Sequence, residues 1–83
     1  MGEFYLLTFK NTHDAMSGEK LLKEVALSPI IVPTPTNVTK SCGLSIRIEN
    51  NVFYRVKELI QENKLVIKEI YLYKDRTFVL EKE

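Results

Sequence analysis

The sequence predicts an α+β domain in which two helices cover one face of an antiparallel sheet. Five short segments are rich in β-branched and aromatic residues, and the clearest of them alternates apolar and polar residues with a period of two. Two longer segments repeat apolar residues at helical spacing. These segments follow one another in the order β-α-β, β-α-β and a last strand, which is typical of a sheet with helices packed against it.

The strands are predicted at residues 3–9, 30–32, 44–49, 66–73 and 77–80. Pro33 is expected to stop the second strand, because proline cannot donate to a sheet ladder. Thr12 is predicted to cap the first helix, which extends to about Leu27 and ends before Pro29. The second helix is predicted at residues 52–62, with a cap at residues 50–51.

This order most commonly packs as a split βαβ, ferredoxin-like sandwich. Strands one and two then run in the same direction, so the loops that follow them emerge at the same end of the sheet. Thr12 and His13 are therefore predicted to lie at the same edge as the loop that contains Cys42. Residues 1–83 are expected to form a single domain, in which residues 74–83 are a C-terminal strand extension.

The charge balance argues against a strongly electrostatic partner. The 83 residues include 12 Lys and Arg against 11 Asp and Glu, a formal net charge of +1. Such a balance does not favour a dedicated binder of nucleic acid or of a membrane surface. Strand three also presents Ser45, Arg47 and Glu49 where a sheet that binds RNA needs aromatic rings. We expect no nucleic-acid or membrane partner.

The N-terminal sequence favours a cytoplasmic protein. The apolar run near the start is too short for a signal peptide and has no basic region before it. No segment approaches the roughly 18 consecutive apolar residues of a membrane helix. In a reducing cytosol the single cysteine would be a free thiol.

That cysteine, Cys42, lies at the exit of an unusually long loop. The 11 residues from 33 to 43 contain almost no core-building side chains, whereas a hairpin needs about two to five. Ordered loops of this length more often carry a function than not. Gly43 permits a close approach to the backbone beside the sulfur. A single cysteine also excludes an internal disulfide and an all-cysteine metal site.

The neighbours of Cys42 can favour its thiolate. The charge of Lys40 and the hydroxyls of Thr39 and Ser41 are adjacent in the sequence, and His13 is the predicted spatial neighbour. Pro33, Thr34 and Pro35 shape the start of the loop. Thr34 followed by Pro35 also fits a helix cap with proline in the first helical position, so that a single turn through residue 40 is predicted.

Simpler interpretations of these residues stay open. A lone cysteine where a loop meets a strand is also typical of a small buried hydrophobic residue, and a histidine at a helix start is commonly a surface residue. Cys42 has one candidate base, His13, and no third catalytic partner, so the residues favour a carrier or binding protein over an enzyme. Together they supply two metal ligands at most, and no metal is predicted.

Several segments carry a family resemblance. Residues 4–9, 12–15 and 19–24, with Pro33-Thr34-Pro35 and Ser41-Cys42-Gly43-Leu44, resemble the small bacterial DUF3343 family of selenium/sulfur carrier-like proteins over about residues 4–72. The resemblance implies that Cys42 carries a persulfide or selenide from a donor protein to an acceptor protein, without a cofactor. Family members often have Arg-Glu-Ile and serines where residues 36–40 stand here, so the role of an arginine is not carried over, although Lys40 can supply a charge.

The alternative is a non-catalytic ferredoxin-like binding or regulatory module. Strand one is apolar on both faces, since Phe4 and Leu6 alternate with Tyr5, Leu7 and Phe9. One of these sets must lie on the sheet face that has no helices. An exposed apolar face of this kind would suit a homodimer through the open sheet face.

Overall fold

The computed structural model describes residues 3–35 and 43–81 and confirms an α+β architecture with two α-helices and a five-stranded antiparallel sheet. The elements are β1 (Phe4–Thr8), α1 (Thr12–Glu24), β2 (Ile30–Pro33), β3 (Leu44–Glu49), a 3-10 turn (Asn50–Val52), α2 (Phe53–Gln61), β4 (Glu69–Lys74) and β5 (Thr77–Glu81). All five predicted strands and both predicted helices are therefore present; β3 has the predicted bounds, and the ends of the other elements are shifted.

The strands lie in the order β2-β3-β1-β4-β5. β1 and β2 are both antiparallel to β3, so they run in the same direction, as predicted. At one end of the sheet, Thr8 of β1 lies between Ser45 of β3 and Glu69 of β4. We call this the Thr8 end. β2 finishes there, β3 starts there, and the chain enters α1 a few residues beyond Thr8.

The two faces of the sheet differ in what covers them. On one face, Leu7 lies between Ile46 and Ile70, and both helices pack there through core residues. The helices contribute Ala15, Leu22, Val56 and Leu59 to this core. The other face, which we call the open face, carries Phe4, Leu6, Thr8, Ser45, Arg47, Glu69, Tyr71, Tyr73, Phe78 and Leu80. One apolar set of β1 therefore does lie away from the helices.

The prediction of Thr12 as the cap of α1 is wrong. Asn11 is the N-cap, and its side-chain oxygen accepts a hydrogen bond of 2.8 Å from the backbone N–H of Asp14. Asparagine and threonine are both good caps, and their adjacency made the position ambiguous from the sequence. The helix also ends earlier than predicted, because Ala26 has a positive φ of 60° and breaks the helical path.

β4 begins at Glu69, later than the predicted residue 66. Of the three residues that were predicted to begin this strand, Val66 and Lys68 are exposed and only Ile67 packs against the core. Leu65 is buried in the core, and the N–H of Lys68 donates to the carbonyl of Thr8 at 2.7 Å. β4 then joins β5 through the two-residue turn Asp75-Arg76. Both turn residues have positive φ, 52° and 64°, as in a type I′ hairpin turn.

Candidate functional site

The structure describes some of the predicted site residues and not others. Thr39, Lys40, Ser41 and Cys42 lie outside the described residues, and so do residues 36–38. The predicted turn through residue 40 falls in the same segment, apart from Thr34 and Pro35, which are not helical. Pro33 was predicted to follow the second strand, but it is the last residue of β2. Its ring is compatible with an extended backbone at the end of an edge strand.

The ends of segment 36–42 are joined by two hydrogen bonds at the Thr8 end. The backbone N–H of Thr34 donates to the carbonyl of Gly43 at 3.0 Å. The side-chain oxygens of Thr34 and Ser45 lie 2.6 Å apart, and either hydroxyl can donate. These contacts continue the pairing of β2 with β3 beyond the strands. Gly43, which follows Cys42 in the sequence, is therefore hydrogen-bonded to Thr34 directly before β3 begins.

A row of polar side chains continues from this point along the open face. Thr8, between Ser45 and Glu69 in the sheet, accepts a hydrogen bond from the Glu69 N–H at 3.1 Å. The same hydroxyl donates to the Glu69 carbonyl at 3.3 Å. Tyr71 donates its phenolic O–H to Oε1 of Glu69 at 2.7 Å. We call Thr34, Ser45, Thr8, Glu69 and Tyr71 the polar row.

The polar row contains residues that the sequence interpretation did not single out as a site. Thr8 lies within the predicted first strand, whose other residues are mainly apolar, and was not among the predicted site residues. The sequence does indicate the direction of its side chain. Thr8 follows Phe4 and Leu6 at intervals of two residues in a strand, so all three side chains lie on the same face of the sheet. Thr8 and Ser45 are both fully buried although no helix covers their face.

Electrostatics makes Tyr71 a neutral donor. Burial is the largest cause, and together with the hydrogen bond to Glu69 and the charge of that carboxylate it raises the pKa of the Tyr71 phenol to about 12. Each effect favours the protonated phenol, so Tyr71 keeps its proton at neutral pH. It can therefore donate a hydrogen bond in this part of the face, and it cannot act as a base there.

His13 lies in the first turn of α1, near the Thr8 end. It is exposed, as is Thr12. Within the described part of the chain, His13 has no hydrogen-bond or ion-pair partner that would orient its ring. The structure thus brings His13 to the predicted end of the sheet without showing a role for it as a base.

Residues 3–35 and 43–81 contain neither a cluster of metal ligands nor a membrane-spanning helix. No cluster of three or more His, Asp or Glu side chains in these ranges could hold a metal ion. No helix there is long and apolar enough to cross a membrane.

A groove of about 680 Å³ lies at the opposite end of the open face. Phe4, Arg47 and Tyr73 form part of its wall, together with residues of the β4–β5 turn. It is separated from Gly43 by the length of the sheet, because Phe4 and Thr8 are the two ends of β1. The groove is therefore distant from the hydrogen bonds of Thr34 that join the ends of segment 36–42.

These features define a class of protein: a small α+β domain whose single cysteine belongs to the loop between two neighbouring strands, with hydroxyl groups at the base of that loop. The chain belongs to the family described as "Putative Se/S carrier protein-like", which matches residues 4–72. This match confirms the resemblance drawn from the sequence. It ends within β4, so β5 lies beyond it. Comparisons with curated proteins and with solved structures gave no match.

Proposed function

We propose that the protein is a sulfur or selenium carrier in which Cys42 holds the transferred atom. Membership of the carrier-like family carries this proposal, since the match spans the loop and its flanking strands. The chain also has only one thiol, so a carrier role based on sulfur chemistry can fall on no other residue. The hydrogen bonds of Thr34 to Gly43 and Ser45 support it, because they fix the two points between which the segment with Cys42 leaves and rejoins the sheet.

The proposed transfer is balanced without an external oxidant or reductant. The thiolate of Cys42 attacks the terminal sulfur of a persulfide on the donor protein, and the donor's S–S bond breaks. The donor leaves as a thiolate, and Cys42 becomes a persulfide. An acceptor thiolate then attacks the terminal sulfur and releases the Cys42 thiolate. Selenium would travel in the same way, as a selenosulfide whose terminal selenium is attacked by the acceptor.

The neighbouring residues are proposed to support the thiolate. Lys40 supplies a positive charge close in sequence, and Thr39 and Ser41 supply hydrogen-bond donors. The partners are a donor protein and an acceptor protein, which a chain of net charge +1 would recognise by a local surface around the loop. A reducing compartment such as the cytoplasm would keep Cys42 available for the reaction.

We also assign the fold to the ferredoxin-like split βαβ sandwiches, extended by β5. The support is topological. β3 lies between β1 and β2, and β1 lies between β3 and β4, so each βαβ unit is split by a strand of the other.

Intact-mass spectrometry tests the carrier role. The protein is incubated with a cysteine desulfurase and cysteine, and the expected result is an added sulfur atom that dithiothreitol removes. Cys42→Ser is the control and should gain no mass. A second incubation with a thiol acceptor should return the wild-type mass to its starting value. Failure to form a Cys42-dependent adduct with several donors would contradict the proposal.

Alkylation rates distinguish an activated thiol from an ordinary one. The rate with iodoacetamide is measured against pH for the native protein and for the protein unfolded in urea. A native thiol pKa below the free-cysteine reference of about 8.5 is expected. Equal profiles in the two states would show that the folded loop does not activate Cys42.

A second candidate is a binding module that associates through the open face. It is favoured by a row of rings on that face: Phe4 stacks on Tyr73 with 4.8 Å between centroids, and Phe78 lies 5.0 Å from Tyr73. Light scattering on the wild type and on Phe78→Glu tests it. Loss of a dimer in this variant, with no sulfur adduct on Cys42, would favour the module over the carrier.

A further inference from the structure

The two outer edges of the sheet differ in their backbone groups. Thr34 N–H bonds to Gly43, and backbone groups alternate in direction along a strand, so Ile30 and Val32 also face β3. Ile31 and Pro33 therefore face outwards from β2. Pro33 has no N–H to offer, and Pro29 precedes the strand. Proline at an edge is a common protection against pairing with another chain, and the β2 edge has it.

The outer edge of β5 has no such protection. Lys74 and Thr77 close the two-residue turn, so Thr77, Val79 and Glu81 direct their backbone groups towards β4. Phe78 and Leu80 direct theirs outwards. Each offers a complete N–H and C=O pair, and no strand within residues 3–35 and 43–81 bonds to that edge.

The side chains of β5 are also unusual for a free edge. Val79 is 49% exposed and Leu80 is 43% exposed, on opposite faces of the strand. Residues 77–80 contain no charged residue, and charge is the usual device that keeps an exposed edge from pairing. The edge thus combines unpaired backbone groups with apolar side chains on both faces.

We propose that β5 binds a second copy of this chain by antiparallel pairing across a two-fold axis at Val79. In this register Phe78 and the partner's Leu80 exchange backbone hydrogen bonds, and Leu80 does so with the partner's Phe78. Both are outward-facing residues, as the pairing requires. The two Val79 side chains meet at the axis, and Thr77 lies opposite the partner's Glu81.

The strand is self-complementary in this register, which favours a second copy over an unrelated partner. Apolar residues meet apolar residues, and no like charges within residues 77–81 are opposed. The two sheets become one continuous sheet. The family match stops at residue 72, so the dimer would come from the strand that this chain carries beyond the matched part. The proposal does not depend on the carrier role.

Molar mass in solution tests the dimer. Size-exclusion chromatography with light scattering, run as a dilution series, should give twice the 9.7 kDa of one chain at the higher concentrations. Val79→Lys should give the single-chain mass, because it opposes two charges at the axis. The matched control is Val66→Lys, since Val66 is 59% exposed and lies outside β5, and it should stay dimeric.

Leu80→Pro tests the backbone bonds themselves. It removes an N–H that points outwards and leaves the β4–β5 bonds of Thr77, Val79 and Glu81 in place, so it should also be a monomer. A wild type that is monomeric throughout the series overturns the proposal. So does a dimer that persists in both Val79→Lys and Leu80→Pro, or one that Phe78→Glu dissociates while these two variants do not.

An engineered disulfide tests the register without depending on a variant that could destabilise β5. Residues in a non-hydrogen-bonded antiparallel pair have Cα atoms about 4.5 Å apart, within the range that a disulfide spans. Val79→Cys in a Cys42→Ser background should therefore cross-link rapidly under mild oxidation. Val66→Cys in the same background is the control. Equal cross-linking of the two variants, or none at position 79, would contradict the proposed axis.

Discussion

The hydroxyl groups of Thr34 and Ser45 lie 2.6 Å apart and join the end of β2 to β3 beside the segment that contains Cys42. Ser45 is fully buried, so water cannot replace Thr34 as its partner without a structural change. Thr34 also holds Gly43 through its backbone. One residue therefore anchors the base of the loop in two ways.

Thr34→Val should lower the free energy of unfolding by about 1–3 kcal/mol, because it leaves the Ser45 hydroxyl buried without its partner. The backbone bond to Gly43 remains. Urea denaturation measures the loss. Thr12→Val is the matched control, since Thr12 is an exposed threonine outside both the Thr34–Ser45 contact and β5, and it should change stability by less than about 0.5 kcal/mol.

Adding Ser45→Ala to Thr34→Val separates the hydrogen bond from packing. The double variant no longer has an unpaired hydroxyl, so it should recover part of the stability that Thr34→Val loses. Purely additive losses would show that the Thr34–Ser45 hydrogen bond does not stabilise the loop base.

Tyr71 should ionise well above its usual pKa of 10, near pH 12. Because its folded pKa is raised, the stability linked to this phenol is complete below pH 10 and is lost as pH rises towards 12. Glu69→Gln removes the negative charge but not the burial, so the pKa should fall and still exceed 10. Tyrosine-labelled NMR, assigned with Tyr71→Phe, measures it.

Tyr54 supplies the control for structural change, since it is 63% exposed. Its chemical shift at neutral pH should be the same in the wild type and in Glu69→Gln. A Tyr71 pKa that Glu69→Gln leaves unchanged would mean that the Glu69 carboxylate does not hold the phenol proton.

The sequence predicted the order of elements well because each element has a strong local signal. In β3, apolar and polar residues alternate from Leu44 to Glu49, and the strand has these bounds. The same-direction arrangement of β1 and β2 followed from connectivity alone. The ends of elements were less predictable, because they depend on contacts distant in sequence. The hydrogen bond from the Lys68 N–H to the Thr8 carbonyl, for example, joins residues far apart in the sequence, and β4 begins only at the next residue.

The candidate site was predictable only in part. The length of the loop and its prolines pointed to residues 33–43, and the hydrogen bond between Thr34 and Gly43 joins the two ends of this segment. The polar row was not predicted, because its links depend on which strands become neighbours. No local pattern places Thr8 of β1 between Ser45 and Glu69.

Arg47 covers the open face by contact with Phe4, with its guanidinium carbon 4.1 Å from the ring centroid. Among the residues that the structure describes, its buried Nε atom has no hydrogen-bond partner, which costs stability. Arg47→Met keeps a long apolar stem and removes that unpaired group, so stability should change by less than about 1 kcal/mol. Arg47→Ala should lose about 1–2 kcal/mol, because Phe4 and Leu6 are uncovered. Urea denaturation compares them.

The exposed pair Arg55–Glu58 provides a control for charge removal at a surface. Its atoms lie 3.4 Å apart on α2, and Arg55→Met should have an effect below about 0.5 kcal/mol. A loss in Arg47→Met as large as that in Arg47→Ala would show that the guanidinium charge, and not the stem, stabilises the face.

A substitution in the β4–β5 turn should stabilise the protein, because Arg76 has a φ of 64°. A left-handed conformation costs a residue with a Cβ about 1–2 kcal/mol, and glycine does not pay this cost. Part of the gain is offset by the greater flexibility of glycine in the unfolded chain, so Arg76→Gly should add about 0.5–1 kcal/mol of stability. Thermal unfolding at one fixed protein concentration should show a Tm several degrees higher.

Lys74→Gly tests whether this gain comes from the turn geometry. Lys74 is the last residue of β4 and does not have a positive φ, so glycine there should destabilise by about 0.5–1 kcal/mol. The two substitutions each remove one basic side chain from the same hairpin, so their effects on net charge are equal. Opposite shifts in Tm would assign the gain at Arg76 to its backbone conformation, whereas parallel shifts would assign it to the loss of charge.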